Sequence, residues 1–151
     1  VYFIDLAEKR KSGGKYKNFY LLEETEDNEL LALSFKGTKE NAAGVSLYLS
    51  SFLSKNGIEE SRANRIAVAV EEMAASCAER MEGKKKFADI DIRIFADKNE
   101  TIISVRDNGD EFDPLNDDKE FEMSPLTVVK AISDKVEYSR VLGFNRTIIK
   151  L

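Results

Sequence analysis

Two hydrophobic periods meet in the middle of the chain, and the switch between them limits the folds open to it. From Ile66 through Val70, Met73, Cys77 and Met81, apolar residues recur at spacings of four, three, four and four. That is the buried stripe of an amphipathic helix. Gly83 closes it. Ile90, Ile92 and Ile94 then alternate with Asp89, Asp91 and Arg93, which predicts a strand with one apolar face and one wet face. Asp97-Lys98-Asn99-Glu100 is a turn, and Thr101 to Arg106 is the return strand of a hairpin. A long helix and a hairpin, each with one apolar face, must bury those faces against each other in layers.

The flanking segments extend the same scheme. Leu30 to Gly37 reads as a strand, and Thr38 as the N-cap of a helix. That helix places Val45, Leu47, Leu49, Phe52 and Leu53 on a broad apolar face and ends at Asn56-Gly57. Ser61 is the expected cap of the long helix. Residues 107–123 form a polar loop, and Ser124-Pro125 opens a third helix. KVEYSRVL and FNRTIIKL are two strands joined at Gly143. The order is strand, helix, helix, strand, strand, helix, strand, strand. It predicts an α+β fold: a two-layer α/β sandwich with helices on one face of a mostly antiparallel mixed sheet.

Composition removes several chemistries. The 151 residues include no His and one Cys, Cys77. His catalysis, Cys-cluster zinc and intrachain disulfides are therefore excluded, and a reduced, intracellular setting fits best. Cys77 belongs to the helix stripe and reads as a small buried hydrophobe. The net charge of −5 gives nucleic-acid binding no bulk support. The longest uncharged stretch, Asn41 to Ser54, is shorter than the roughly 20 apolar residues a membrane span needs.

The chain opens on Val1, as a processed or excised piece would. The apolar VYFIDL is followed by KRKSGGKYK, with five basic residues in nine. Such a pairing reads as a cytoplasmic segment after a transmembrane helix, or as a solvated basic linker beside an ordinary first strand or short helix. Residues 1–28, with the strand-like NFYLLEE inside them, are expected to be an N-terminal extension or juxtamembrane-like linker. Residues 29–151 are the domain. The expected location is cytoplasmic, as a free protein or as the tail of a membrane protein.

Three features could carry chemistry. Glu72 and Ser76 lie four apart on the long helix and share a face roughly 100° from the Met73 stripe. Asp107-Asn108-Gly109 ends a strand, where Gly lets the backbone turn and a ligand come close. Thr147 lies in the last strand. Each has a plain alternative: Glu72 as a solvated charge, Asp-Asn-Gly as a turn. The series Asp107, Asp110, Asp113 is spaced by three and lacks the glycine of an EF-hand.

In this order, the residues resemble the ATPase domain shared by gyrase, the heat-shock chaperone, histidine kinases and MutL (the GHKL superfamily). The likeness is greatest to its bacterial anti-sigma-factor serine kinase branch, and it covers residues 29–151. The family's helix carries Glu, three residues and Asn, often followed by His-Gly. Here Glu72 takes the Glu position, which implies a general base. Ser76 stands where the Mg²⁺-binding Asn would, and Arg80-Met81 where His-Gly would. The family then has Asp-x-Gly-x-Gly and Phe-Asp-Pro. Asp107, implying the adenine contact, Gly109 and Phe112-Asp113-Pro114 are kept, while the second Gly is Glu111. Thr147 matches the Thr that supports the adenine pocket. The resemblance implies the histidine kinase-like ATPase fold, with ATP and Mg²⁺ as cofactors if the site is functional.

The departures fall on phosphate and metal contacts. Phosphates are usually cradled by backbone N–H groups of glycine-rich loops, yet no Gly lies between Gly109 and Gly143. Asp110 to Glu122 holds seven acidic residues and one Lys, a net charge of −6. A triphosphate there meets like charge, worth on the order of 1 kcal/mol per close pair in water. Three readings stand. The domain is a degenerate, pseudoenzyme-like regulatory module that binds a protein partner, a sigma factor or an antagonist-like regulator. It is a working ATP/Mg-dependent serine kinase of the partner-switching type, with the acidic loop holding extra Mg²⁺. Or it is a nucleotide-sensing tail of an upstream membrane domain. A homodimer is also expected from the resemblance.

Overall fold

The structure, a computed structural model, describes residues 2–4, 29–97, 99–115 and 125–151. Its elements are β1 (Tyr2–Ile4), β2 (Glu29–Lys36), α1 (Lys39–Lys55), α2 (Glu60–Arg80), β3 (Asp89–Ala96), β4 (Thr101–Asp107), α3 (Pro125–Ile132), β5 (Lys135–Val141) and β6 (Phe144–Lys150). From β2 onward they follow the order expected from the sequence. The strands form one sheet in the order β1-β2-β3-β4-β6-β5. All five pairings are antiparallel, so no parallel pair accompanies them among the described strands. The segment NFYLLEE, the basic cluster and residues 116–124 lie outside the described residues.

The helices pack on one face of the sheet. Ile90, Ile92 and Ile94 of β3, Ile103 of β4 and Ile149 of β6 meet Leu49, Leu53, Ile66 and Val70 of α1 and α2 in one buried core. Thr38 caps α1, its Oγ1 accepting from Asn41 N at 3.1 Å. Asn56 follows, and Gly57, at φ +82°, turns the chain out. Gly37 N donates to Ala88 O at 2.8 Å, which ties the exit of β2 to the entry of β3.

Three expectations are corrected. Leu47 is 76% exposed. It lies two residues from Val45, or about 200° around the helix, while Leu49 and Leu53 continue the buried row. The cap of α2 is Glu59, whose carboxylate accepts from Ser61 N at 3.0 Å and Arg62 N at 3.1 Å. A Glu side chain reaches those amides from one turn-start earlier than Ser61 could. Finally, the outer face of β3 is wet only at its start, where Asp89 is exposed, since Asp91 and Arg93 are buried. Asp91 accepts from Ser34 Oγ at 2.9 Å and lies 3.8 Å from Arg93 Nε. The Asp91 carboxylate thus takes a hydroxyl from the neighbouring strand and a guanidinium from its own.

One end of the sheet gathers the candidate residues. β4 ends at Asp107, β3 begins at Asp89, and β6 begins at Phe144. The last turn of α2 arrives at the same end, as the ion pair of Arg80 with Asp107 shows.

Candidate functional site

Asp107 is the last residue of β4 and only 5% exposed. A buried carboxylate must have its lone pairs filled, and both oxygens are engaged. Oδ1 accepts from Gly109 N at 3.0 Å and from Asn145 Nδ2 at 2.9 Å. Oδ2 accepts from Arg80 Nη2 at 3.2 Å, an ion pair. A Cβ on Gly109 would sit 2.9 Å from Asp107 Oδ1, so the close approach requires glycine. Cys77 also meets this carboxylate. Burial, helped by the Asp107 charge and by a hydrogen bond to it, and opposed by Arg80, pushes the Cys77 thiol up to about 12. It therefore stays protonated at neutral pH.

Arg80 is the last residue of α2, and its side chain is 15% exposed. Besides Asp107 it reaches the following loop, with Nη1 donating to Asp110 O at 3.0 Å. The guanidinium carbon stands 4.6 Å above the Phe112 ring, within cation–π range. Its Nε is buried with no hydrogen-bond partner.

Asn145 holds the other side. Its amide donates to Asp107 Oδ1 and, at 2.7 Å, to Asp110 O. Its carbonyl oxygen accepts from Phe112 N at 3.2 Å, Tyr138 Oη at 2.8 Å and Arg140 Nη1 at 2.8 Å. Lys84 pairs with the Asp110 carboxylate outside. The loop 108–113 is thus pinned between α2 and the β5–β6 hairpin.

The structure joins Asp107 to Gly109 and puts Thr147 on the neighbouring strand, two residues along from Asn145, the register partner of Asp107. Thr147 is buried, opposite Val105 of β4 and Tyr138 of β5, and shares a face with Asn145 two residues earlier. Ser76 and Glu72 stand one and two turns or so back along α2 from Arg80, about 6 and 12 Å by helical rise. Ser76 is buried, and Glu72 is partly exposed. Desolvation first, then the neighbouring charges of Glu71 and Glu79, raise the Glu72 carboxyl above its ordinary value. Of the acidic loop, residues 110–115 are described and the remainder lies outside the described residues. Sequence reasoning placed Arg80 at the family's His position without giving it a role, and it missed Asn145, Tyr138 and Arg140. The available signal was Asn145, a polar residue on the apolar phase of β6.

Compared with known families, residues 35–151 match the model of the histidine kinase-like ATPase domain. The chain belongs to the histidine kinase-like ATPase family. A comparison with curated proteins finds no match. Domains of this family bind ATP with Mg²⁺. In this histidine kinase-like ATPase domain the residue carried over as the adenine contact is engaged from within the fold. Asp107 accepts from Gly109, Asn145 and Arg80, and the same Arg80 guanidinium lies over the Phe112 ring. No group of three acidic or Cys side chains that could hold a metal ion occurs among the described residues. Ser76, the expected metal contact, is buried in α2. No helix among the described residues is long and apolar enough to cross a membrane.

Proposed function

We propose that this is a regulatory domain of the anti-sigma-factor kinase-like type, with a degenerate ATP site, that acts mainly by holding a protein partner. The observation that carries the reading is the Asp107 carboxylate, both of whose oxygens are engaged from within the domain. The group that would select adenine is satisfied internally by Arg80, Asn145 and Gly109. An incoming adenine amino group would have to share Oδ2 with Arg80 or displace one of these donors. Glu111 in place of glycine and the acidic loop add to the cost of holding phosphates. The partner would be a sigma factor or an antagonist-like regulator. We place its contact on α1, where the uncharged stretch Asn41 to Ser54 leaves Leu47 on the surface. A second copy of the chain is the other occupant this surface would take.

A working serine kinase is the second reading, and Glu72 favours it. Its raised pKa makes it a stronger base, suited to taking a proton from a serine hydroxyl. In that reading Asp107, Gly109 and Thr147 would bind nucleotide and Ser76 would face Mg²⁺.

Calorimetric titration with ATP and with ADP, each with and without Mg²⁺, tests the proposal. The expected result is no Mg²⁺-dependent heat at submillimolar nucleotide. Clear Mg²⁺-dependent ATP binding, followed by phosphate transfer to a serine and lost on Glu72→Ala, would establish the kinase instead.

A further inference from the structure

The groups around the Arg80 guanidinium form a cation site. Asp107 Oδ2 and Asp110 O accept from it, and the Phe112 face lies beneath it. It also sits at the C-terminal end of α2, where the helix dipole favours positive charge. Nothing in this set donates to the occupant. Asn145 fixes the geometry from behind by holding both the Asp107 carboxylate and the Asp110 carbonyl. Such a set selects a flat cation with diverging N–H groups, which is a guanidinium.

We infer that Arg80 is the resident ligand of a guanidinium-selective pocket and that it gates the site, so nucleotide enters only when the guanidinium leaves. The inference rests on the reading of Asp107 as the adenine contact and adds a cause for the weak site. Arg80 holds Asp107 Oδ2, the oxygen with the fewer internal donors and so the one an adenine edge would contest. Arg80 is tethered at the last residue of α2, so its effective concentration is high. If the open form is populated at about 1–10%, apparent affinity falls by roughly 10–100-fold.

The experiment uses the wild type, Arg80→Ala and, as the gentler change, Arg80→Gln. Each is titrated with adenosine, which lacks the phosphates that the acidic loop repels. Each is also melted with and without methylguanidinium. Arg80→Ala is expected to bind adenosine at least about 10-fold more tightly than the wild type, with Arg80→Gln between them. Methylguanidinium should raise the melting temperature of Arg80→Ala, leave that of the wild type unchanged, and displace adenosine. Equal adenosine affinity in all three proteins would overturn the gate. The methylguanidinium arm then locates the fault. Selective stabilisation of Arg80→Ala would mean an open pocket that does not read adenine, so the role carried to Asp107 fails. No selective stabilisation would mean that Arg80 fills no pocket. If Arg80→Ala does not fold, Arg80→Gln alone decides by the same comparison.

Discussion

Asn145 donates its side-chain amide to Asp107 Oδ1 over 2.9 Å, directly across the β4–β6 register. The pair joins the last residue of one strand to the start of the next, and the whole loop 108–113 hangs from it. Asn145→Ala would strip an acceptor from three donors and a donor from two acceptors. Leaving buried groups unsatisfied costs about 1–3 kcal/mol each, and relaxation recovers part of it, so a loss of about 2–4 kcal/mol is expected. Urea denaturation measures it. A loss below about 0.5 kcal/mol, the ordinary scatter of surface changes, would mean that the network is not what holds the loop.

Gly109→Ala tests the same contact from the other side. The added Cβ would lie 2.9 Å from Asp107 Oδ1 and 3.5 Å from Met81 Sδ. The carboxylate cannot retreat without losing Asn145 or Arg80. Overpacking of this kind costs about 1–3 kcal/mol. A melting temperature equal to that of the wild type would show that Asp107 moves freely, which would weaken the case for a carboxylate held in place by its donors.

These residues also mark where the sequence stops being legible. Element order, the Thr38 cap and the Ile66–Cys77 stripe follow from local periods and capping chemistry, and each holds in the structure. Leu47 fell out because a broad apolar helix face absorbs one residue of the wrong phase. Asp91 and Arg93 fell out because alternation reports polarity, and lateral pairing lets polar residues be buried. Asp107 and Gly109 could be placed by motif. What engages them could not, because Arg80 and Asn145 reach Asp107 from 27 and 38 residues away. No local pattern encodes the meeting of a helix end with a strand end.

Glu72 makes a pH prediction with a definite sign. Its folded pKa is raised above 4.5, mainly by desolvation. The folded state therefore binds this proton more tightly than the unfolded chain. Its contribution to stability is fully present below the unfolded pKa and is lost as pH rises through the folded one. Glu72→Gln should accordingly be more stable than the wild type at neutral pH, with the advantage vanishing below about pH 4. Glu59 works in the opposite sense. Hydrogen bonds from the Ser61 and Arg62 amides lower its pKa, so its stabilisation is lost as pH falls. Chemical denaturation of Glu72→Gln and the wild type across pH 3 to 8 separates the two. A difference that is constant with pH would contradict the desolvation argument.

Cys77 should be chemically silent in the folded protein. Its thiol is buried and pushed up to about 12, and the thiolate is the reactive form. An alkylating reagent at pH 8 is expected to label it only as fast as the protein opens. Labelling at the rate of a free thiol would mean that the α2 end and the Asp107 site open readily, and that Arg80 is not held there.

The β5–β6 turn carries a strain that can be relieved. Leu142 has φ 51° and Gly143 φ +80°, so both central residues are left-handed, as a two-residue hairpin of this hand requires. Glycine accepts that conformation freely, whereas an ordinary L-residue such as leucine pays about 1–2 kcal/mol for it. Leu142 gains nothing in return, since it is 76% exposed. Asparagine tolerates the left-handed region and suits this turn position. Leu142→Asn should therefore stabilise the domain by about 0.5–1 kcal/mol, seen as a higher denaturation midpoint with an unchanged slope. A lower midpoint would mean that the Leu142 side chain is stabilising in solution, through a contact made at this exposed hairpin tip.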